Sequence, residues 1–292
     1  MSRQLAPADM APPGSPEWGR TVTASKIPAM LGLSPWQSPY ALWHEMAGYL
    51  DPEPLEGDHL DWGHDVEDSL VNWWRRKHPG WQTNAGEIAY TDPGLPFPNA
   101  VTLDRRARRG RRFHIIECKT AADIDTWGEP GDPDAVPAHY HAQVIFQMGI
   151  SGIHHADVVV LGYRVPEIHH IEWNPDMFSG LVDFAADWWK SLQDGDPPPL
   201  DDTVATYDTV RGLHPDIEKG TEIQLDHDQA TSLLAAIEAE KQAEADARRA
   251  KTQLLDHMGT AHKAMVGDVK IADRRKNSRG TISLYPNKKA EI

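Results

Sequence analysis

The order of sequence patterns predicts an α/β protein. A mixed central sheet is flanked by helices, and a long helix and a β-hairpin are appended at the C-terminus. Apolar residues recur at helical spacing over 60–78 and 177–192. Short β-branched or aromatic runs at 88–90, 97–103, 115–119, 157–163 and 168–173 are bounded by Gly, Pro and Asp. Interleaving of the two patterns argues for a sheet covered by helices rather than for separate all-α and all-β parts.

Taken in order, residues 1–16 are rich in Pro, Ala and Gly without an apolar core, and read as a disordered tail rather than a signal peptide. Thr23-Ala24-Ser25 leads into a helix over Lys26 to Leu31, with Ser25 as N-cap and Gly32 as its stop. A turn at Leu33-Ser34-Pro35-Trp36 precedes a second helix, Pro39 to Met46, ending at Gly48. A third helix, Leu60 to His78, follows an acidic, Pro-rich connector and turns Val66, Leu70, Trp73 and Trp74 to one face. Glu67 lies on the edge of that face, where a carboxylate needs a partner or a metal. Strands at Ile88 to Tyr90 and Phe97 to Leu103 enclose the Pro93-Gly94 turn. After the strand at 115–119 come a loop, a helix over Ala138 to Gly149, two strands and an amphipathic helix over Met177 to Leu192.

The domain organisation follows. Residues 17–193 form the main domain, and 194–225, opening with Pro197-Pro198-Pro199, read as a linker. Residues 226–292 form an appendage. Its helix, Asp226 to Met258, is roughly 45 Å long at 1.5 Å per residue. The middle of that helix is almost wholly polar, which suits a projecting arm. Lys263 to Ala272 and Gly280 to Tyr285 close the chain as a hairpin around a basic turn.

The 292 residues can bury a sizeable core, and no apolar stretch approaches the ~18–20 residues that span a bilayer. A single cysteine, Cys118, excludes an internal disulfide and a four-cysteine metal site within this chain, and fits a reducing cytoplasm. A net charge of −15 argues against a wholly basic nucleic-acid-binding surface. The basic residues are nevertheless clustered: six arginines lie between Arg105 and Arg112, and residues 251–292 hold nine Lys/Arg against four acids. The fifteen histidines lack the cysteine or acidic companions of a zinc site nearby in sequence, and read as structural or surface residues. Most of the eleven tryptophans fall at core spacings, while Trp36 and Trp127, in loops, are placed to stack on a base.

The most informative segment is Ile115-Ile116-Glu117-Cys118-Lys119-Thr120, preceded by Leu103-Asp104-Arg105. Residues two apart on a strand share a face, so Glu117 and Lys119 project together and Cys118 points away. The arginines between the two halves form the tip of a hairpin that lays Asp104 beside the end of the second strand. Clustered carboxylates beside an ammonium suit a hard divalent cation and a water that must lose a proton. The same residues also read as a surface hairpin with a strand-end ion pair. The arginine cluster likewise reads either as a phosphate contact, through Arg105, Arg106 and Arg108, or as a solvated turn.

Four segments, in order, resemble the phage lambda exonuclease / YqaJ-type viral recombinase family of the PD-(D/E)XK nuclease superfamily, over about residues 18–190. They are Thr23-Ala24-Ser25-Lys26-Ile27 with Gly32-Leu33-Ser34-Pro35-Trp36; Trp62-Gly63-His64-Asp65-Val66-Glu67; Leu103-Asp104 with Glu117-Cys118-Lys119; and Tyr140-His141-Ala142-Gln143-Val144 with Met148. The resemblance implies a PD-(D/E)XK-like sheet and a Mg²⁺-dependent 5′→3′ exonuclease on double-stranded DNA. It implies two ions, with Mn²⁺ able to substitute, held by Asp104, Glu117, the Cys118 carbonyl and Glu67. Lys119 then polarises or deprotonates the attacking water, Gln143 hydrogen-bonds near the metals, and Ser25 with Arg20 holds a terminal 5′-phosphate. The implied partners are a single-strand annealing protein and further copies of the chain in a ring trimer or tetramer, in a bacterial cell or phage-infected host. The chain departs from the family at Thr102-Leu103-Asp104-Arg105, where only the Asp is kept, and at Arg20, which sits closer to Ser25 than expected. The rival readings are another nuclease of the superfamily, an endonuclease or a Cas4-like enzyme, and a non-catalytic DNA-binding protein on the same fold. The single cysteine speaks against a Cas4-like iron–sulfur cluster.

Overall fold

Asp104, at a strand junction, and Glu117, on a neighbouring strand, organise the architecture. A computed structural model describes residues 2–6, 9–12, 14–51, 57–132, 134–276, 279–287 and 290. Its strands are β1 (Arg3–Gln4), β2 (Val22–Thr23), β3 (Gln82–Thr83), β4 (Ile88–Thr91), β5 (Asn99–Leu103), β6 (Arg105–Arg109), β7 (Arg112–Thr120), β8 (Ala156–Leu161), β9 (Glu167–Ile171), β10 (Lys263–Val266), β11 (Val269–Lys276) and β12 (Ile282–Pro286). The helices are α1 (Pro16–Gly19), α2 (Ile27–Met30), α3 (Pro39–Ala47), α4 (Asp58–Lys77), α5 (Ala138–Ser151), α6 (Pro175–Asp194), α7 (Val204–Leu213) and α8 (His227–Met258). They fall into two units, Met1–Ile217 and Glu218–Ile292.

In the first unit, one sheet has the order β1-β4-β5-β2 and the other β3-β6-β7-β8-β9. β7 and β8 are parallel, and β6 and β9 flank them antiparallel, so the expected mixed sheet is present. A parallel pair needs a long crossover, and α5 supplies it. Alternation then sorts the side chains. Ile115, Val158 and Val160 join Val144, Ile145, Phe146 and Met148 of α5 in the larger core. Ile116 and Val159 join Val66, Leu70, Val71 and Trp74 of α4 in the smaller one. Burial on both faces is why these strands read as unbroken apolar runs. Each such side chain contributes about 1.5–3 kcal/mol. β5 ends at Leu103 and β6 begins at Arg105, so the chain passes from one sheet to the other across Asp104.

Three expectations are corrected in this unit. Within the supposed disordered tail, Arg3 and Gln4 pair with Thr91 and Tyr90, because the open edge of β4 offers backbone partners to any extended segment. Residues 1, 7, 8 and 13 of that tail lie outside the described residues. Ser25 is not the cap of α2. Lys26 holds that position, and the Ser25 hydroxyl lies 3.0 Å from that of Thr23. The stretch 194–225 is not a bare linker, since it contains α7. Thr203 caps α7, and Thr206 donates to the buried Ser38 hydroxyl at 2.8 Å.

The second unit holds α8, closed at its N-terminus by a capping box between Asp226 and Gln229. It also holds a three-stranded antiparallel sheet, β10-β11-β12, where a two-stranded hairpin was expected. Gly267, with a positive φ of 55°, turns the chain between β10 and β11 and splits the supposed first strand in two. Hydrogen bonds from Arg275 hold the Asp273 carboxyl at about 2.

Gly149 brings α5 close to α6: a Cβ there would run into the Phe178 ring. Gly149→Ala is therefore expected to destabilise the protein by about 1–3 kcal/mol through overpacking, read as a lower midpoint in chemical denaturation. An unchanged midpoint would mean that the helices do not approach so closely.

Candidate active site

Glu117 is 2% exposed, and its carboxylate accepts three hydrogen bonds on the α5 face of the sheet. Lys119 Nζ and Gln143 Nε2 donate to Oε1, each at 2.7 Å, and Gln147 Nε2 donates to Oε2 at 2.8 Å. Gln143 and Gln147 stand one turn apart on α5 and share a face. A carboxylate offers roughly four lone-pair sites, so about one remains open. Gln147 was not anticipated from the sequence, although its i+4 relation to Gln143 is a signal that could have found it. Its Nε2 also reaches the Thr102 carbonyl at 2.9 Å, tying α5 to the end of β5.

Asp104 meets this group from the strand junction. Its Oδ2 accepts the Cys118 N–H at 2.7 Å, which fixes the carboxylate against the backbone between Glu117 and Lys119. Burial raises the Asp104 carboxyl well above its usual range, and the charge on Glu117 adds to the rise. Burial alone would lower Lys119, but Glu117 and Asp104 outweigh it and hold the ammonium protonated. Cys118 points to the other face, as alternation requires, with Sγ 4.0 Å from the Glu67 carbonyl. Burial, with the nearby carboxylates, pushes its thiol far up, so it is no nucleophile.

A third side comes from α4 and the loop before β4. Glu67, Glu87 and Asp104 each bring a carboxylate oxygen within 4.8 Å of the others. Glu87 was not anticipated, being exposed and outside any motif; only the tertiary fold brings it here. Burial raises Glu67, Arg105 opposes that, and Glu87 adds to it. Glu67 in turn raises Asp104, and an all-oxygen set of this kind is the donor chemistry that a hard divalent cation takes.

The arginine cluster divides. Arg105 is buried and ion-paired to Glu67 and to Asp68, so its placement at the DNA is corrected. The physical reason is register: Arg105 and Ala107 face inward from β6, the latter into the α4 core. Arg106 donates to the Tyr90 hydroxyl at 2.7 Å and lies over Phe113. Arg108, Arg109, Arg111 and Arg112 are exposed. Arg20 lines a groove with Pro16, Glu17, Thr21, Pro98 and Trp189, to which Glu67, Asp104 and Glu117 do not contribute. Ser25 is exposed beside Thr23. Trp36, 69% exposed, packs edge-on against His139 at 5.4 Å, and Lys119 lies 5.1 Å from the ring of the adjacent Tyr140. Trp127 is buried against the same tyrosine.

A mixed sheet with helices on both faces, an Asp at a strand junction and Glu-X-Lys on the adjoining strand define the PD-(D/E)XK nuclease-like class of folds. Within it, residues 18–154 match the YqaJ-like viral recombinase domain. Solved structures with a similar course include an alkaline exonuclease from Laribacter hongkongensis, 17% identical, covering 60% of this chain and 89% of that one, with a TM-score of 0.46. A phage-related exonuclease from Haemophilus somnus 129PT is 14% identical over 60% of this chain and 96% of its own, with a TM-score of 0.43. A putative exonuclease from Eubacterium rectale is 13% identical over 76% and 97%, with a TM-score of 0.44. A comparison with curated proteins finds no match.

The raised Asp104 carboxyl makes a prediction about the metal-free protein. Its folded pKa lies above the unfolded value, so its contribution is favourable below the unfolded pKa and is lost as pH rises through the folded one. Asp104→Asn removes that loss while keeping an acceptor for the Cys118 N–H. In EDTA at neutral pH the variant is expected to melt higher than the wild type, with the gain shrinking as pH falls towards 4. A gain that is independent of pH, or a loss at neutral pH, would contradict the assignment.

Proposed function

We propose that the protein is a Mg²⁺-dependent deoxyribonuclease, a 5′→3′ exonuclease that shortens double-stranded DNA from its ends and leaves 3′ single strands. The observation that carries this reading is the Cys118 N–H bond to Asp104, which joins that carboxylate to the Glu117-X-Lys119 strand. The polarity and the 3′ product rest on the resemblance to the YqaJ-like family. So do the annealing partner and the ring-shaped homo-oligomer.

The residues fit a divalent ion. Asp104, Glu117 and the Cys118 carbonyl would hold one, and Glu67 with Glu87 would help to hold a second. A bound Mg²⁺ or Mn²⁺ supplies the charge that makes water a nucleophile at neutral pH and offsets charge on the phosphate. The chain's own residues do the positioning. Gln143, Gln147 and Lys119 fix both oxygens of Glu117, so the carboxylate needs little reorganisation when substrate arrives. Lys119 is held protonated, so in this arrangement it polarises water and stabilises the developing negative charge rather than accepting a proton. Trp36 offers an exposed ring next to Tyr140 and Lys119, where stacking on a base is worth about 1–3 kcal/mol. The four exposed arginines of the hairpin are the ones free to meet phosphates.

Digestion of end-labelled linear duplex and of covalently closed circles tests this reading. Linear duplex is expected to be degraded in Mg²⁺ and not in EDTA, faster from 5′-phosphorylated ends, with circles left intact. Asp104→Ala and Glu117→Ala are expected to drop cleavage to background while DNA binding stays measurable. Near wild-type cleavage by either variant would refute the site, and rapid cutting of circles would show an endonuclease instead.

A further inference from the structure

On the α4 face of the five-stranded sheet, opposite Glu117, the smaller core contains a second polar cluster that the proposed reaction does not use. Its centre is Asp157, 3% exposed, on β8. His114 lies four residues before Cys118 on β7, about 13 Å away at 3.3 Å per residue. His170 is directly across from Asp157 on β9. His114, Asp157 and His170 each offer a ligand atom within 4.8 Å of the others. The sequence reading left these histidines as structural because their partners are distant along the chain. The fold brings three strands together to assemble them.

We propose that His114, Asp157 and His170, with His78 at their edge, form a binding site for a borderline transition-metal ion of the Zn²⁺ type. Three observations carry this. First, His114 Nε2 is buried and its contact is Asp157 Oδ2 at 3.0 Å, without a well-aligned hydrogen bond among the described residues. A buried ring nitrogen in that state is incomplete, and a cation between it and the carboxylate would complete it. Second, His78 Nδ1 lies 3.0 Å from the Trp74 carbonyl, which can only accept. Nδ1 is therefore a donor, which leaves Nε2 as the ring nitrogen facing Asp157 Oδ2, 3.8 Å away. Third, the carboxylate is itself held: Trp74 Nε1 donates to Oδ2 at 2.6 Å, the kind of outer hydrogen bond that orients a metal ligand.

Zn²⁺ takes imidazole nitrogen at about 2.0–2.1 Å and carboxylate oxygen at about 2.0–2.2 Å. His114 Nε2 lies 3.0 Å from Asp157 Oδ2 and His170 Nδ1 2.9 Å from Oδ1, so one ion between the two rings would take both oxygens of Asp157 or turn the carboxylate to share one. The His170 side chain is 53% exposed, leaving a route in from solvent and an outer position for water. Imidazole with a single carboxylate favours Zn²⁺ over Mg²⁺, so the two sites would sort ions by donor type. Histidine protons alone could also satisfy Asp157, and that is the alternative to exclude.

The full chain, stripped with EDTA and returned to excess Mg²⁺, is titrated with Zn²⁺ and separately with Co²⁺. Binding is followed by calorimetry and by the visible absorption of Co²⁺. About one equivalent of Zn²⁺ is expected to bind despite the Mg²⁺, with a Co²⁺ spectrum typical of nitrogen ligands and a rise in melting temperature. Asp104→Ala should keep this binding. His170→Ala, at a half-exposed position that leaves the core intact, should weaken it by on the order of tenfold or more and abolish the thermal shift. No Zn²⁺ uptake in Mg²⁺, uptake lost in Asp104→Ala, or uptake unchanged in His170→Ala would each overturn the proposal and leave a proton-bridged network.

Discussion

The hydrogen bond from the Cys118 N–H to Asp104 Oδ2 is the constraint on which the rest of the site depends. It spans the place where the chain leaves one sheet and enters the other, and it aims a carboxylate at the end of β7. Without it, Asp104 would belong to a solvated bend and Glu117 to a buried ion pair. With it, two strands present their acids to one space. That geometry costs electrostatic energy, because Glu117 and Glu67 disfavour the charge on Asp104, and Glu87 that on Glu67. Lys119 and Arg105 offset part of this from opposite faces. In the proposed reading, a divalent cation would relieve these unfavourable electrostatics of the folded metal-free protein.

The same logic explains why a chain with a net charge of −15 can be read as acting on DNA. Its acids are concentrated where cations are wanted and along solvated helices. Four exposed arginines, Arg108, Arg109, Arg111 and Arg112, cluster at the tip of the β6–β7 hairpin. Arg105, the innermost of the run, supports Glu67 rather than meeting phosphate. Net charge describes the whole surface, whereas phosphate contact is set by local fields.

Much of this was legible in the sequence wherever a period or a cap carried the information. Strand alternation correctly placed Glu117 with Lys119 and Cys118 opposite. Helical spacing placed Val66, Leu70 and Trp74 against the sheet, and Gln143 fell beside Glu117 as the family resemblance implied. What was missed depends on tertiary contact. Glu87 reaches the site from an exposed loop, and the His114–Asp157–His170 cluster needs three strands in register. Other misses were readable but overridden by a stronger signal. The arginine run hid the inward alternation of Arg105 and Ala107. The proline run at 197–199 hid Thr203 as a helix cap, and Ser25 was a good cap residue one position too early for α2.

Anomalous diffraction from crystals grown in Mn²⁺ tests the central claim most directly, because it locates the ion without relying on activity. The account predicts a strong anomalous peak bonded to Asp104 and Glu117, at oxygen distances of about 2.0–2.3 Å, with a further peak towards Glu67 and Glu87. The Cys118 N–H should remain on Asp104. A fully occupied Mn²⁺ elsewhere with none at Asp104, or an Asp104 side chain turned away from Cys118, would contradict it.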